Sequence, residues 1–103
     1  MRIEHYSIQK LNKEIRDIIG RYLDLSEYQI FFFGSRVSGK GTDRSDIDIG
    51  IEGPFPISAE IKFRIEEEIE NLPILYQIEI VDFKRVPLEF REVVLQNREF
   101  ITL

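Results

Sequence analysis

Phe33 to Ile51 reads FGSRVSGKGTDRSDIDIGI. Its two ends decide the fold. Ahead of it, Tyr28 to Phe33 is a short, almost continuous apolar run closed by Gly34. Such a run, rich in aromatics, predicts a buried central strand. At the far end, Asp46-Ile-Asp-Ile-Gly-Ile51 alternates strictly. That alternation predicts a second strand, with Ile47, Ile49 and Ile51 on one face and Asp46, Asp48 and Gly50 on the other. Residues 34–45 hold three Gly and four hydroxyl residues, so they read as a loop with room for one helical turn.

Two chemical signals lie in this stretch. Acids at alternate strand positions share a face, about 6.5 to 7 Å apart at Cα. Asp46 and Asp48 can thus converge on hard cations about 3.5 to 4 Å apart, as two-metal phosphoryl transfer requires. That strand face holds two acids and a Gly with nothing to neutralise them, and a bound cation would. The bland alternative is a solvated strand face. The second signal is Gly34-Ser35 straight after a strand. Gly admits a phosphate close to the backbone, exposed amides can cradle an anion, and Ser35 adds a hydroxyl. Arg36 and Lys40 follow as phosphate contacts or ordinary loop charges, and Ser45 is a further nucleotide-binding candidate.

A P-loop is the rival reading. Gly34 to Lys40 matches G-x-x-x-x-G-K, but Gly41 stands where the Ser/Thr hydroxyl belongs. The next strand begins too soon for the long helix a P-loop opens.

Outward from the stretch, Ile8, Leu11, Ile15, Ile18, Ile19 and Tyr22 recur at helical spacing, predicting a helix over 7–23 capped by Ser7. Ser58 predicts the cap of a helix running to about Asn71 and stopped by Pro73, with Glu66 to Glu70 mostly outward. Residues 74–83 read as a third strand, Leu88 to Asn97 as a last helix, and Phe100 to Leu103 as an edge segment. The expected architecture is a mixed sheet of three or more strands flanked by helices, on the border of α/β and α+β, in a single domain over 1–103.

Composition narrows the chemistry. The chain has 103 residues, 43% hydrophobic and 32% charged, with no Cys and one His, His5. Thiolate and multi-His metal sites are excluded, leaving oxygen donors and hard cations such as Mg2+. Net charge is −5, with residues 46–103 carrying six Lys/Arg against thirteen Asp/Glu. General nucleic-acid binding is not expected of such a chain. No apolar run suits a membrane span, and the N-terminal residues lack a signal-peptide core, so the expected location is cytoplasmic.

Taken together, Gly34-Ser35, ten intervening residues and Asp46-x-Asp48 resemble the signature of the DNA polymerase beta-type nucleotidyltransferase superfamily. The whole stretch looks like its minimal nucleotidyltransferase branch, the antitoxin component of HEPN/MNT toxin–antitoxin pairs. The resemblance implies a nucleotidyltransferase fold and ATP as substrate. It implies that Gly34 and Ser35 grip the β- and γ-phosphates while Asp46 and Asp48 hold two Mg2+ ions. A third acid belongs on the next strand, and Ile78-Glu-Ile-Val-Asp-Phe83 places Glu79 there, as metal ligand and catalytic residue. The family pattern has Asp at that position. Asp82 reads instead as a strand-end cap. The resemblance further implies an antitoxin that transfers AMP to a Tyr on a HEPN-domain toxin, in a hetero-oligomer. The alternative is an antitoxin that neutralises its partner by contact, with weak or no catalysis. Phe31, Phe32 and Phe33 read as core, and His5 as an exposed terminal residue.

Overall fold

The computed structural model describes residues 6–38 and 46–102, with backbone only at Ser35 and Ser38. Lys40 and Ser45, both candidate nucleotide contacts, and His5 lie outside the described residues.

The elements run α1 (Ile8–Gly20), β1 (Gln29–Phe33), α2 (Ser35–Ser38), β2 (Ile47–Glu52), α3 (Ala59–Glu70), β3 (Ile78–Asp82), α4 (Leu88–Leu95) and β4 (Glu99–Phe100). The caps are where the sequence put them. Ser7 Oγ accepts from the Lys10 amide at 3.2 Å, and Ser58 Oγ from the Ile61 amide at 3.2 Å. Each satisfies an amide that the first helical turn leaves without a partner. The loop's helical turn is α2.

The sheet order is β3-β2-β1-β4. β1 is antiparallel to both β2 and β4, while β2 and β3 are parallel across the α3 crossover. The short 34–46 connection suits the antiparallel pair, and only the parallel pair needs a helix. One parallel pair at the edge of an otherwise antiparallel sheet makes the fold α+β. The third strand starts at Ile78 rather than 74, since Pro73 and the turn after α3 occupy the earlier residues.

Each face of the sheet has its own core. Ile30, Phe32, Ile47, Ile49, Ile51 and Ile80 pack with Leu11, Ile15 and Ile19 of α1 and Ile65 and Ile69 of α3. The opposite face carries an aromatic cluster of Phe31, Phe33 and Phe83, packed with Val81, Val86 and Val94. The three consecutive phenylalanines therefore serve two cores. Ile47, Ile49 and Ile51 are fully buried. Each contributes about 1.5–3 kcal/mol by burial, so a one-residue slip of β2 would expose all three. This pins the position of Asp48.

One expectation changes. Glu68 is not on the outward face of α3: it accepts from Tyr22 Oη and pairs with Arg21, tying α3 to α1. Among the described residues, no helix is long and apolar enough to cross a membrane.

Candidate functional site

The site lies on the aromatic face, where β1 ends and β2 and β3 begin. Gly34 turns the chain out of β1 with φ of +86°, the left-handed region that only Gly enters freely. A second reason for Gly is the neighbouring strand. A Cβ at Gly34 would overlap the Asp48 carboxylate and lie 3.1 Å from its Cγ. The carboxylate thus occupies the space that a side chain at residue 34 would need.

Asp48 is flanked on both sides. Its register partner is Phe33 on β1 and Glu79 on β3. Alternation along β2 sends Asp48, Gly50 and Glu52 to this face. Gly50 leaves space for rings: a Cβ there would stand 2.6 Å from both Phe31 Cζ and Phe83 Cε1. α4 covers the far side of the cleft, held by Arg91 Nε donating to Glu52 at 2.7 Å. Phe90 of α4 meets Phe33 and Phe83 at ring separations of 6.2 and 6.0 Å. The result is a cavity of about 310 Å3 lined by Phe33, Gly34, Asp48, Glu79, Val81, Phe90 and Val94.

The cavity's chemistry follows from its lining. Asp48 is pushed up from 3.8 to about 6, first by burial and then by the charges of Glu79 and Asp46. Crowded anions beside apolar walls are the usual setting for such a shift. Asp46 is exposed, just ahead of β2, and Glu79 is exposed on an edge strand. Among the described residues, no three carboxylate or imidazole side chains gather tightly enough to hold one ion. A magnesium ion does not require such a cage. It is commonly held by one or two carboxylates, with substrate phosphates and water completing its shell. The donors present fit that mode.

The remaining candidates separate cleanly. Asp82 belongs to the scaffold. It is 5% exposed and accepts from the Ile57 amide at 2.7 Å and the Lys84 amide at 2.9 Å. Arg36, in α2, lays its guanidinium over the Tyr76 ring, 4.4 Å from the centroid. The sequence reading missed Tyr76, because no local pattern links it to residue 36. It missed Phe90 and Val94 for the same reason.

Comparison with known proteins agrees with this fold. Residues 27–102 match the family described as polymerase beta, nucleotidyltransferase. A probable protein adenylyltransferase, MntA, of Haemophilus influenzae is 28% identical over 68 residues. That alignment covers 66% of this chain and 60% of the relative, so the chain spans less than two thirds of it. Among solved structures, a toxin–antitoxin complex with AMP-PNP superposes with a TM-score of 0.71 at 15% identity. The superposition covers 88% of this chain and 72% of the other. A complex of a tri-AMPylated Shewanella oneidensis HEPN toxin with an MNT antitoxin gives 0.67 at 16%, over 92% and 72%. Identities this low establish shared fold alone. The sequence match spans most of the chain and includes the Gly34 turn, Asp46, Asp48 and Glu79, and by it the chain belongs to the polymerase beta-type nucleotidyltransferase family.

Proposed function

We propose that this chain is a Mg2+-dependent nucleotidyltransferase, one domain over residues 1–103, that transfers AMP from ATP to a tyrosine hydroxyl of a HEPN-domain toxin. In this role it is the cytoplasmic antitoxin of the pair and forms a hetero-oligomer with it. The observation that carries the reading is the Gly34 turn pressed against Asp48, itself in register with Glu79. That arrangement sets a phosphate-binding backbone beside metal-binding carboxylates. The likeness to a probable protein adenylyltransferase and to HEPN–MNT complexes supports the choice of acceptor.

The roles are those that the family signature implies. Gly34 and Ser35 receive the β- and γ-phosphates, aided by Arg36, Lys40 and Ser45. Asp46, Asp48 and Glu79 would hold two magnesium ions, one or two carboxylates to each, and the ions would neutralise the triphosphate and the mutually repelling carboxylates. The acceptor oxygen attacks the α-phosphorus in line, and the bond to pyrophosphate breaks. The hydroxyl proton passes to a carboxylate, and Glu79 lines the same cavity as Asp48. Apolar walls of Phe33, Val81, Phe90 and Val94 suit an aromatic ring whose hydroxyl points at Asp48.

The test is label transfer from ATP carrying its label on the α-phosphate, with Mg2+, in host lysate and with a purified HEPN partner. Asp48→Asn runs alongside. A labelled band of partner size, absent with the variant, is the expected result. Transfer undiminished in Asp48→Asn would overturn the assignment.

A second reading is an antitoxin that works by contact with little turnover. One observation favours it: Glu, one methylene longer than Asp, stands exposed at the third carboxylate position. An ångström of displacement at a reacting centre can cost about 10²-fold in rate. Under this reading wild-type transfer is negligible and Glu79→Asp raises it.

A further inference from the structure

Among the described residues the sheet ends at β3, which has β2 on one side only. The parallel pairing fixes which of its backbone groups are used. The Ile47 amide donates to the Gln77 carbonyl, and the Phe83 amide donates to the Ile51 carbonyl, each at 2.9 Å. Odd-numbered residues of β3 therefore face β2, and Ile78 and Ile80 turn their N–H and C=O groups to the outer edge. Among the described residues no strand takes those groups up. Ile80 is only 3% exposed, so its outward groups lie on the floor of a groove and not on open surface. Sheltered backbone groups that lack partners are costly, and an added strand supplies partners.

The groove at this edge is a cavity of about 500 Å3, lined by Lys62, Ile80 and Arg85 together with Glu79 and Val81. Glu79 and Val81 also line the Asp48 cavity, so the two spaces adjoin at these side chains. Neighbouring strands lie about 4.8 Å apart. Asp48 is the register partner of Glu79. A residue added opposite Glu79 therefore stands two spacings from Asp48, roughly 10 Å at Cα, with its side chain on the same face. A tyrosine carries its hydroxyl far enough to close that gap, and a serine or threonine does not. A residue three positions along the added strand points to the other face, where Lys62 of α3 lies and where Arg85 meets Asp82. Arg85 stays 60% exposed despite its bonds to Asp82 and the Ile57 carbonyl, so an acidic side chain finds it accessible.

We infer that the acceptor tyrosine arrives on an extended segment that adds to β3 as an antiparallel strand, with the tyrosine opposite Glu79 and an acidic residue beside Lys62 and Arg85. The antiparallel ladder is the more stable arrangement, and in it the acid lies three residues ahead of the tyrosine. The inference rests on the proposed transfer to tyrosine and names the form in which that acceptor is recognised. Backbone pairing holds the segment, and its alternate side chains select it.

The probe is a blocked eight-residue peptide of threonine and valine with one tyrosine and a glutamate three residues ahead of it. Its control is the same peptide N-methylated at the two residues beside the tyrosine, which keeps every side chain and removes the donors that would face Ile78 and Ile80. Amide exchange is read by NMR, with Mg2+ and a non-hydrolysable ATP analogue present. Exchange at Ile78 and Ile80 should slow at least tenfold with the peptide and stay unchanged with the control. Replacing the peptide's glutamate by lysine should weaken binding about two- to fivefold. In label transfer from ATP, kcat/KM for the peptide should exceed that for N-acetyltyrosinamide at least tenfold, and the control should lose most of that preference. No slowing at Ile78 and Ile80, or equal slowing with the control, would overturn the inference and leave the transferase reading standing. Slowing without label on any acceptor would overturn transfer to tyrosine, and the acceptor role of this edge with it. Slowing that rises with protein concentration in the absence of peptide would assign the edge to a second copy of this chain, and would also overturn the inference.

Discussion

The carboxylate of Asp48 occupies the space that a side chain on Gly34 would need. The two residues lie on adjacent antiparallel strands' ends, and each constrains the other. Gly34 must lack a Cβ so that Asp48 can face the turn. Asp48 can face it only because three buried isoleucines hold β2 in register. Gly34→Ala should therefore fail on two grounds, a left-handed backbone and a steric overlap. We expect a loss of about 2–3 kcal/mol in stability, seen as a lower Tm, and nucleotide binding at least tenfold weaker in the folded fraction. Unchanged melting and binding would show that the turn relaxes freely.

Asp48 gives the protein a pH dependence of definite sign. Its carboxyl is held up at about 6, against 3.8 in an unfolded chain. Between those values the folded state keeps a proton that the unfolded state has lost. Stability without metal therefore falls as pH rises from about 4 to about 6, and stays lower above that. The group is partly exposed, so the effect is discounted to about 1–2 kcal/mol. Asp48→Asn should remove this dependence and raise Tm by about 5–10 °C at pH 7.5. Added Mg2+ should stabilise wild type at pH 7.5 and do little at pH 4. Thermal melts across pH, with and without the ion, measure all three.

Phe90 is the closing wall of the cleft. Burial is the first cause of the Asp48 shift, and Phe90 lines the same cavity. Phe90→Ala should admit water and move the Asp48 carboxyl back toward 3.8. A carboxyl-carbon NMR titration reads this directly. The same variant should lose preference for an aromatic over an aliphatic hydroxyl acceptor, judged from labelled products.

Two acids on one strand should answer mutation differently. Asp82→Ala strands the Ile57 and Lys84 amides that it now satisfies, and leaves Arg85 without its carboxylate. The expected cost is about 2–4 kcal/mol, visible in denaturant unfolding, with nucleotide affinity of the folded protein unchanged. Glu79→Ala, at an exposed edge position, should barely change stability and should weaken Mg2+-dependent nucleotide binding.

Much of this was legible in sequence because it is local. The alternation of Ile47 to Ile51 is a period-two signal, and it put Asp48 on the face opposite the isoleucines; Asp46, expected on the same strand, lies just ahead of it. Ser7, Ser58 and Pro73 are punctuation that acts within one helical turn, and they marked ends to within a residue or two. The pairing of β4 with β1 was not legible, since a two-residue strand carries no period of its own. The split of Phe31, Phe32 and Phe33 between two cores followed from the pleat, but the second core appeared only once α4 was folded back over it. Glu68 looked like one acid in a solvated row. Its partners, Arg21 and Tyr22, lie in the turn just after α1, which the row itself does not predict. Arg36 and Tyr76 meet by the same kind of long-range placement.

The pairing of β4 with β1 has a consequence for how the molecule is made. Phe31 and Phe32 find their β4 partners at Phe100 and Glu99, while Ile101 donates its amide to Ile30. The β1–β2 hairpin that carries the site can close early, from segments close in sequence. Its outer border stays open until the residues around 100 have been synthesised and have returned to it. During that interval an apolar run, Ile30 to Phe33, shows an unpaired backbone to its surroundings. A chain interrupted before Glu99 would hold nearly all of the chemical groups and still tend to self-associate along that border.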